Sequence, residues 1–306
     1  MFVLQIYERR CISLKRFKSH LKIIIALLLS VFIFAACSSP NPTGGTSNAG
    51  NSNADTKNSI KISYIDVGQG DSALIQVNGK NLLIDAGTNE STNKLISYLD
   101  KQNIKKLDYV VATHPHEDHI GGMATVIKKY DIGEFYAPKK LANTKTFENM
   151  MNALKSKNLK INVAKAGVNL DLGKNVKCEM IAPNADNYED VNNYSAVIKI
   201  TYGNSKFLFT GDAEKLSEKE ILNKNYDISA DVLKVGHHGS SSSSSKPFLD
   251  KVAPKIAIIS CGKNNDYGHP HRETMNELTK RKIQVYRTDV DGTIVLRSDG
   301  NKIIKQ

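Results

Sequence analysis

The sequence predicts an α/β protein whose sheets are covered on their outer faces by helices. Short apolar, β-rich runs recur from residue 60 to the C-terminal region, and the early ones follow one another across glycine and polar breaks at 68–71, 78–80 and 86–88, as hairpin strands do. Later runs alternate with stretches of helical periodicity. That succession belongs to sheet layers packed beneath helices.

In chain order, strands are expected over 60–67, 73–77, 81–85 and 107–112, with helical periodicity over 89–101 and 123–130. A helix fits 144–157, and strands fit 160–164, 176–181, 196–202 and 206–210. A helix over 213–224 then leads to a strand over 231–235. The final elements are a helix over 246–252, a strand over 256–260, a helix over 273–281, and strands over 285–288 and 293–297. No internal repeat is obvious, although the rhythm of the two halves is compatible with a distant duplication.

The first 36 residues carry an address. Arg9, Arg10, Lys15, Arg16, Lys18 and Lys22 precede an apolar run from Ile23 to Ala36, which is shorter than the ~20 residues a spanning helix needs. A signal peptide is expected over 1–36. Residues 37–59 begin with Cys37 and continue in Ser, Asn, Gly, Thr and Pro, a composition that reads as a flexible tether. The globular domain is expected over 60–306.

The formal charge of +11 includes this leader. Without its six Lys/Arg and one Asp/Glu the remainder carries a net +6, which suits an anionic substrate or envelope surface but is more commonly met by solvated lysines. Beyond Cys11 and Cys37 the cysteines are Cys178 and Cys261. Each sits in an apolar, strand-like run, so buried free thiols are expected, with a disulfide as the alternative.

The chemistry concentrates in Val110-Val111-Ala112-Thr113-His114-Pro115-His116-Glu117-Asp118-His119-Ile120-Gly121-Gly122. An apolar strand ends in a turn bearing three imidazoles and a carboxylate, and the two glycines let a helix start tightly beside them. Neutral imidazole nitrogen and carboxylate oxygen are the donors that hold one or two divalent ions.

His114, His116, Asp118 and His119 form an HxHxDH signature that resembles the metallo-β-lactamase superfamily. Further matches follow in the expected order: Leu83-Ile84-Asp85-Ala86-Gly87, Leu208-Phe209-Thr210-Gly211-Asp212, and Leu233 through His237-His238-Gly239-Ser240. The resemblance implies an αββα sandwich of two mixed sheets with outer helices. It also implies that His114 and His116 hold one metal, that Asp118, His119 and either His237 or His238 hold a second, and that Asp212 bridges them. Asp85 would orient a metal-binding histidine, and Asp66 and Asp71 would fix loops. Ile65 through Ser72, Asn264 through Pro270 and Arg287-Thr288-Asp289 look like the hydrolase domain of ComEC-type DNA-uptake proteins, over residues 60–298. Those proteins also carry a multi-span channel, so only their hydrolytic module is expected here. Phe34-Ala35-Ala36-Cys37 resembles a bacterial lipobox, implying lipidation at Cys37 and a protein anchored outside the cytoplasmic membrane.

The stretch Asn192-Asn193-Tyr194-Ser195-Ala196 lacks the additional histidine that many superfamily members place there. Oxygen ligands would then complete the first site, so manganese stands beside zinc. Two ions would acidify a bridging water to supply hydroxide, with Asp118 and Asp212 at the centre. His269, Lys234 and the loop 240–245 are candidates to stabilise charge on a phosphodiester. The expected activity is a metal-dependent phosphodiesterase with DNA as substrate and no obligate protein partner. Hydrolysis of another envelope phosphodiester (phosphocholine or teichoic-acid-like) and a catalytically silent surface binding protein are the alternatives. Intact ligands argue against the last, and β-lactam hydrolysis is the reading least supported.

Overall fold

The computed structural model describes residues 59–306. The expected signal peptide and Cys37, with the tether as far as residue 58, lie outside the described residues. Among the described residues no helix is long and apolar enough to cross a membrane.

The first sheet begins with β1 (Ile60–Tyr64), β2 (Ala73–Val77) and β3 (Lys80–Ile84), an antiparallel meander. After α1 (Thr92–Lys101) the chain enters β4 (Lys106–Val111), parallel to β3. The one-turn α2 (Glu117–Ile120) and α3 (Met123–Lys129) lead to β5 (Asp131–Ala137), and α4 (Lys145–Ser156) leads to β6 (Ile161–Val163). Thr144 caps α4, its hydroxyl accepting the Phe147 N–H at 3.2 Å.

The second sheet contains β7 (Val176–Ala182), β8 (Val197–Tyr202) and β9 (Ser205–Phe209), again antiparallel neighbours. Then α5 (Lys215–Asn223), β10 (Val232–Lys234), α6 (Lys246–Val252), β11 (Ile256–Ile259), α7 (Arg272–Lys280) and β12 (Gln284–Arg287) continue it as parallel crossovers. A last turn of helix, α8 (Thr288–Asp291), sends the chain back to the first sheet. There β13 (Ile294–Ser298) pairs with β1, and β14 (Ile303–Lys305) forms the edge. The sheet orders are β14-β13-β1-β2-β3-β4-β5-β6 and β12-β11-β10-β9-β8-β7.

Strand alternation sorts the apolar residues into three layers of core. Ile75, Leu82, Ile84 and Val111 face Ile198, Phe207, Phe209, Val232 and Ile258 between the sheets. Their immediate neighbours Leu74, Leu83 and Val110 face the other way, onto Leu95, Leu99, Met123, Val126 and Leu154 of the helices. On the second sheet Leu208, Leu233, Ala257 and Ile259 do the same for Ile221, Phe248, Leu249 and Leu278. The result is the expected αββα sandwich.

Four details depart from the sequence reading. β5 was not expected, because Gly133 and its charged neighbours interrupt the apolar pattern. The glycine is there for close approach, since a Cβ would lie 2.5 Å from the Asp108 carbonyl oxygen. β14 is a short edge strand with little burial to signal it. Residues 191–194 form a 3-10 turn. Residues 236–239 do not extend the strand: β10 ends at Lys234 and the chain turns through left-handed backbone at His237 (φ 49°) and His238 (φ 53°).

Candidate metal centre

The candidate residues gather where the parallel strands of both sheets end. β3 delivers Asp85, β4 delivers Thr113 and His114, β9 delivers Asp212, and β10 and β11 deliver His238 and Ser260. Carboxyl ends of parallel strands are where α/β folds place their sites, because loops there are free of the ladder and sit on rigid supports. Gly121 and Gly122 allow the close approach. A Cβ on Gly121 would lie 2.2 Å from Asn89 N, and one on Gly122 would lie 2.6 Å from the Ala86 carbonyl oxygen.

Asp118, His119, Asp212 and His238 each bring one donor atom to a common point, all within 4.8 Å of one another. His119 Nε2 is 3.2 Å and His238 Nε2 is 3.6 Å from Asp212 Oδ2, and His238 Nε2 is 3.0 Å from Asp118 Oδ2. The inner nitrogens point at each other because the outer ones are committed. His119 Nδ1 donates to Asp85 Oδ2 at 2.8 Å, and His238 Nδ1 donates to the Ser260 carbonyl at 2.9 Å. A fixed Nδ1–H leaves the Nε2 lone pair for a cation. Asp85 is itself held, accepting the Thr113 N–H at 2.8 Å and the Thr113 hydroxyl at 2.7 Å.

The donor set fits a divalent ion on a second count. His119 Nε2 and Asp212 Oδ1 are buried without a hydrogen-bond partner. Leaving such atoms buried and unpaired costs ~1–3 kcal/mol each, so their convergence calls for a ligand. The electrostatics agree. Burial pushes His119 down, but the carboxylates of Asp212, Asp118 and Asp85 overcome it and hold the imidazole well above its ordinary range. Burial would raise Asp212, yet His119, His238 and His114 hold it well below the usual carboxylate value. Negative charge is concentrated here and asks for a positive partner.

His114 and His116 adjoin this cluster. His114 Nε2 is 3.0 Å from His116 Nδ1 and 3.9 Å from Asp212 Oδ2. His114 Nδ1 lies 3.3 Å from the Ser195 hydroxyl, which also accepts the Asp212 N–H at 3.1 Å. Ser195 thus ties the two together, a role that a lone loop serine does not announce in sequence. Asn192, in the stretch without the additional histidine, lines the cleft with a buried Oδ1 that has no hydrogen-bond partner.

The left-handed turn separates the adjacent histidines. His238 enters the cluster, while His237 Nδ1 turns to the Ser242 hydroxyl at 3.1 Å and Glu214 at 3.3 Å, with Nε2 3.8 Å from Asp212. Two further expectations change. Lys234 does not face a substrate. It is buried beneath the cluster, 2.8 Å from Asp71 Oδ2, and Asp71 Oδ1 lies 3.6 Å from His238 Nδ1. The loop 240–245 is not a free anion cradle either, because the Ser244 and Ser245 N–H groups already donate to Glu218 at 2.5 and 2.9 Å. His269 does line the cleft, but burial and the neighbouring His238, His237 and His271 push it down to about 4, so it is neutral near pH 7 and offers no positive charge.

A cleft of about 460 Å³ opens over these groups, bordered by Gln69, His116, Asp118, Asn192, His237 and Tyr267. Comparison with known proteins adds what geometry alone does not. The family description "Metallo-beta-lactamase superfamily" matches residues 65–263. The chain belongs to the metallo-β-lactamase superfamily. Its fold is similar to the metallo-beta-lactamase fold protein YhfI from Bacillus subtilis, with a TM-score of 0.54 at 15% identity, over 78% of this chain and 100% of that one. It is 34% identical to ComE operon protein 3 of Bacillus subtilis (strain 168), over 78% of this chain and 33% of that protein. A shorter segment is 36% identical to exodeoxyribonuclease WalJ of Streptococcus pneumoniae, over 28% of this chain and 29% of that protein. The chain spans about a third of the length of ComE operon protein 3 and of other curated relatives that it matches. The matched region of this superfamily member holds every residue of the His/Asp cluster.

Proposed function

We propose that this metallo-β-lactamase superfamily hydrolase is a phosphodiesterase acting on DNA outside the cytoplasmic membrane. The observation that carries the reading is the buried convergence of His119 Nε2, His238 Nε2, Asp118 and Asp212 beneath an open cleft. Similarity to ComE operon protein 3 and to a protein named as an exodeoxyribonuclease supports a nucleic-acid substrate. The net +6 of the chain beyond the leader agrees with a polyanion.

In this reading Asp118, His119, Asp212 and His238 hold one cation, and His114 and His116 with Asp212 hold another, zinc being expected first and manganese second. Such ions, when bound, acidify water and offset the charge that develops on phosphate. The chain's own groups do the rest. Asp85 and the Ser260 carbonyl keep His119 and His238 in the tautomer that faces the cations. Asp71, steadied by Lys234, supports His238 from behind. Neutral His269 can offer a ring N–H to a phosphate oxygen from the cleft wall.

Purified protein supplied with zinc or manganese should cleave single-stranded DNA, and Asp118→Ala should lower the rate by ~10³-fold or more, as losses of essential catalytic groups do. Equal turnover by variant and parent would overturn the assignment. Anchoring through a lipid on Cys37 is part of the same proposal. Cys37→Ser should move the protein from the membrane fraction to the soluble one, and an unchanged distribution would remove the anchor.

A further inference from the structure

We infer that Tyr267 is a stacking platform for a nucleobase beside the scissile phosphate, and that the preferred substrate is therefore single-stranded nucleic acid or an unpaired end. The inference rests on the phosphodiesterase reading above for the kind of ring that stacks. A singly exposed aromatic is ordinary on a protein surface. Tyr267 differs in where it stands and in how firmly it is held.

Its side is 67% exposed, yet it lies on the wall of the cleft that opens over the His/Asp cluster. Its inner face is stacked on His269, with ring centroids 5.6 Å apart and planes 18° from parallel. His269 in turn stacks on His238, a member of the cluster, at 6.1 Å and 29°. A ladder of near-parallel rings thus climbs from the cation site to the surface and ends in an open aromatic face. The loop beneath it is braced. The Asn265 amide donates to the carbonyls of Gly262 at 2.9 Å and His269 at 2.6 Å, and its oxygen accepts the His269 N–H at 3.0 Å. A ring presented this rigidly loses little freedom when another ring covers it.

His269 also borders a second groove of about 580 Å³, lined by Lys263, Asn264 and Arg287 among others. Lys263 is exposed there, whereas Arg287 is already paired with Asp289 at 2.6 Å. An extended strand could place its reacting phosphate in the first groove, a base on Tyr267, and its next phosphate near Lys263. In a duplex each base face is covered by its neighbours, so only an unpaired base or a strand end can take the exposed ring.

The test is binding by the full-length protein, followed by fluorescence anisotropy in the presence of chelator so that no hydrolysis competes. The probes are a labelled oligothymidylate and a strand of the same length built from abasic deoxyribose phosphates. The parent should favour the base-bearing strand by ~10-fold or more, the size expected for one base stacked on an aromatic side chain. Tyr267→Ala should bring the two affinities together, and Tyr267→Phe should keep them apart. Equal binding of both strands by the parent, an equal loss on both strands with Tyr267→Ala, or a phenylalanine no better than alanine would each overturn the platform. If the parent cleaves no phosphodiester when supplied with metal but still shows the Tyr267-dependent preference, the platform stands and the phosphodiesterase reading falls.

Discussion

Asp85 does not line the cleft over the His/Asp cluster, yet the orientation of His119 hangs on it. Its two oxygens accept from Thr113 N, Thr113 Oγ1 and His119 Nδ1 while the residue is almost wholly buried. Burial pushes its carboxyl up, and the contact with His119 and the Thr113 N–H pull it back. Asp85→Asn keeps the size but offers an amide N–H where His119 needs an acceptor, which favours the wrong tautomer. Zinc affinity, measured by competition with a chromogenic chelator, should fall 10–100-fold, the range seen when such supporting partners are lost. An unchanged affinity would show that His119 is oriented by something else. The HxHxDH residues were readable because their ligand types lie close together in the chain. The choice of His238 over His237 was not, since it depends on two consecutive left-handed residues that no hydrophobic pattern encodes. Ser195 and Tyr267 were hidden for another reason, as common loop residues whose partners come from distant segments. The two cysteines among the described residues, Cys178 and Cys261, were easier, and both are buried and free. Burial and the nearby Asp289 push the Cys261 thiol up to about 12. Iodoacetamide should modify neither Cys178 nor Cys261 until the protein is unfolded, as mass spectrometry of the alkylated peptides would report.

The junction between α2 and α3 is where element packing sets the site. Gly121 has an ordinary helical φ of −54°, so its need for glycine is spatial rather than conformational. Gly121→Ala would drive a methyl into the backbone at Thr88 and Asn89 and push α2 outward, carrying Asp118 and His119 with it. A loss of about 1–3 kcal/mol in chemical denaturation is expected from such overpacking. The link between α5 and the loop before α6 makes a pH prediction. Burial pushes the Glu218 carboxyl above its ordinary 4.5, against the pull of the Ser245 and Ser244 bonds. The unfolded chain then releases this proton first as pH rises. The stabilising contribution of Glu218 is therefore complete below pH 4.5 and is lost as pH climbs through the folded-state value. Glu218→Gln removes that ionisation, so the Tm of the variant minus that of the parent should grow more positive from acid to neutral pH. A difference that stays flat would rule out the raised carboxyl. Elements with strong alternation, such as β2, β3 and β9, were readable because one face meets the inter-sheet core and the other meets helices. β5 was masked by a glycine that serves a neighbouring strand.

Sheets beneath helices followed from the order of strand and helix patterns and the αββα sandwich from the family resemblance, but its closure followed from neither. β13 returns from the far end of the chain to pair with β1, and Asp66 N donates to Thr293 Oγ1 at 3.0 Å across 227 positions. Nothing in the local composition of 293–298 names that partner. The pairing has a consequence for how the protein folds. Until β13 is in place the free side of β1 stays bare, and the hydrogen-bonding groups along it invite the wrong neighbour. Chains truncated before residue 293 should remain protease-sensitive although they hold every residue of the His/Asp cluster, and restoring β13 should convert them to resistance in one step. Folding would then wait on β13, so that a chain lacking that strand never closes the sandwich around the His/Asp cluster.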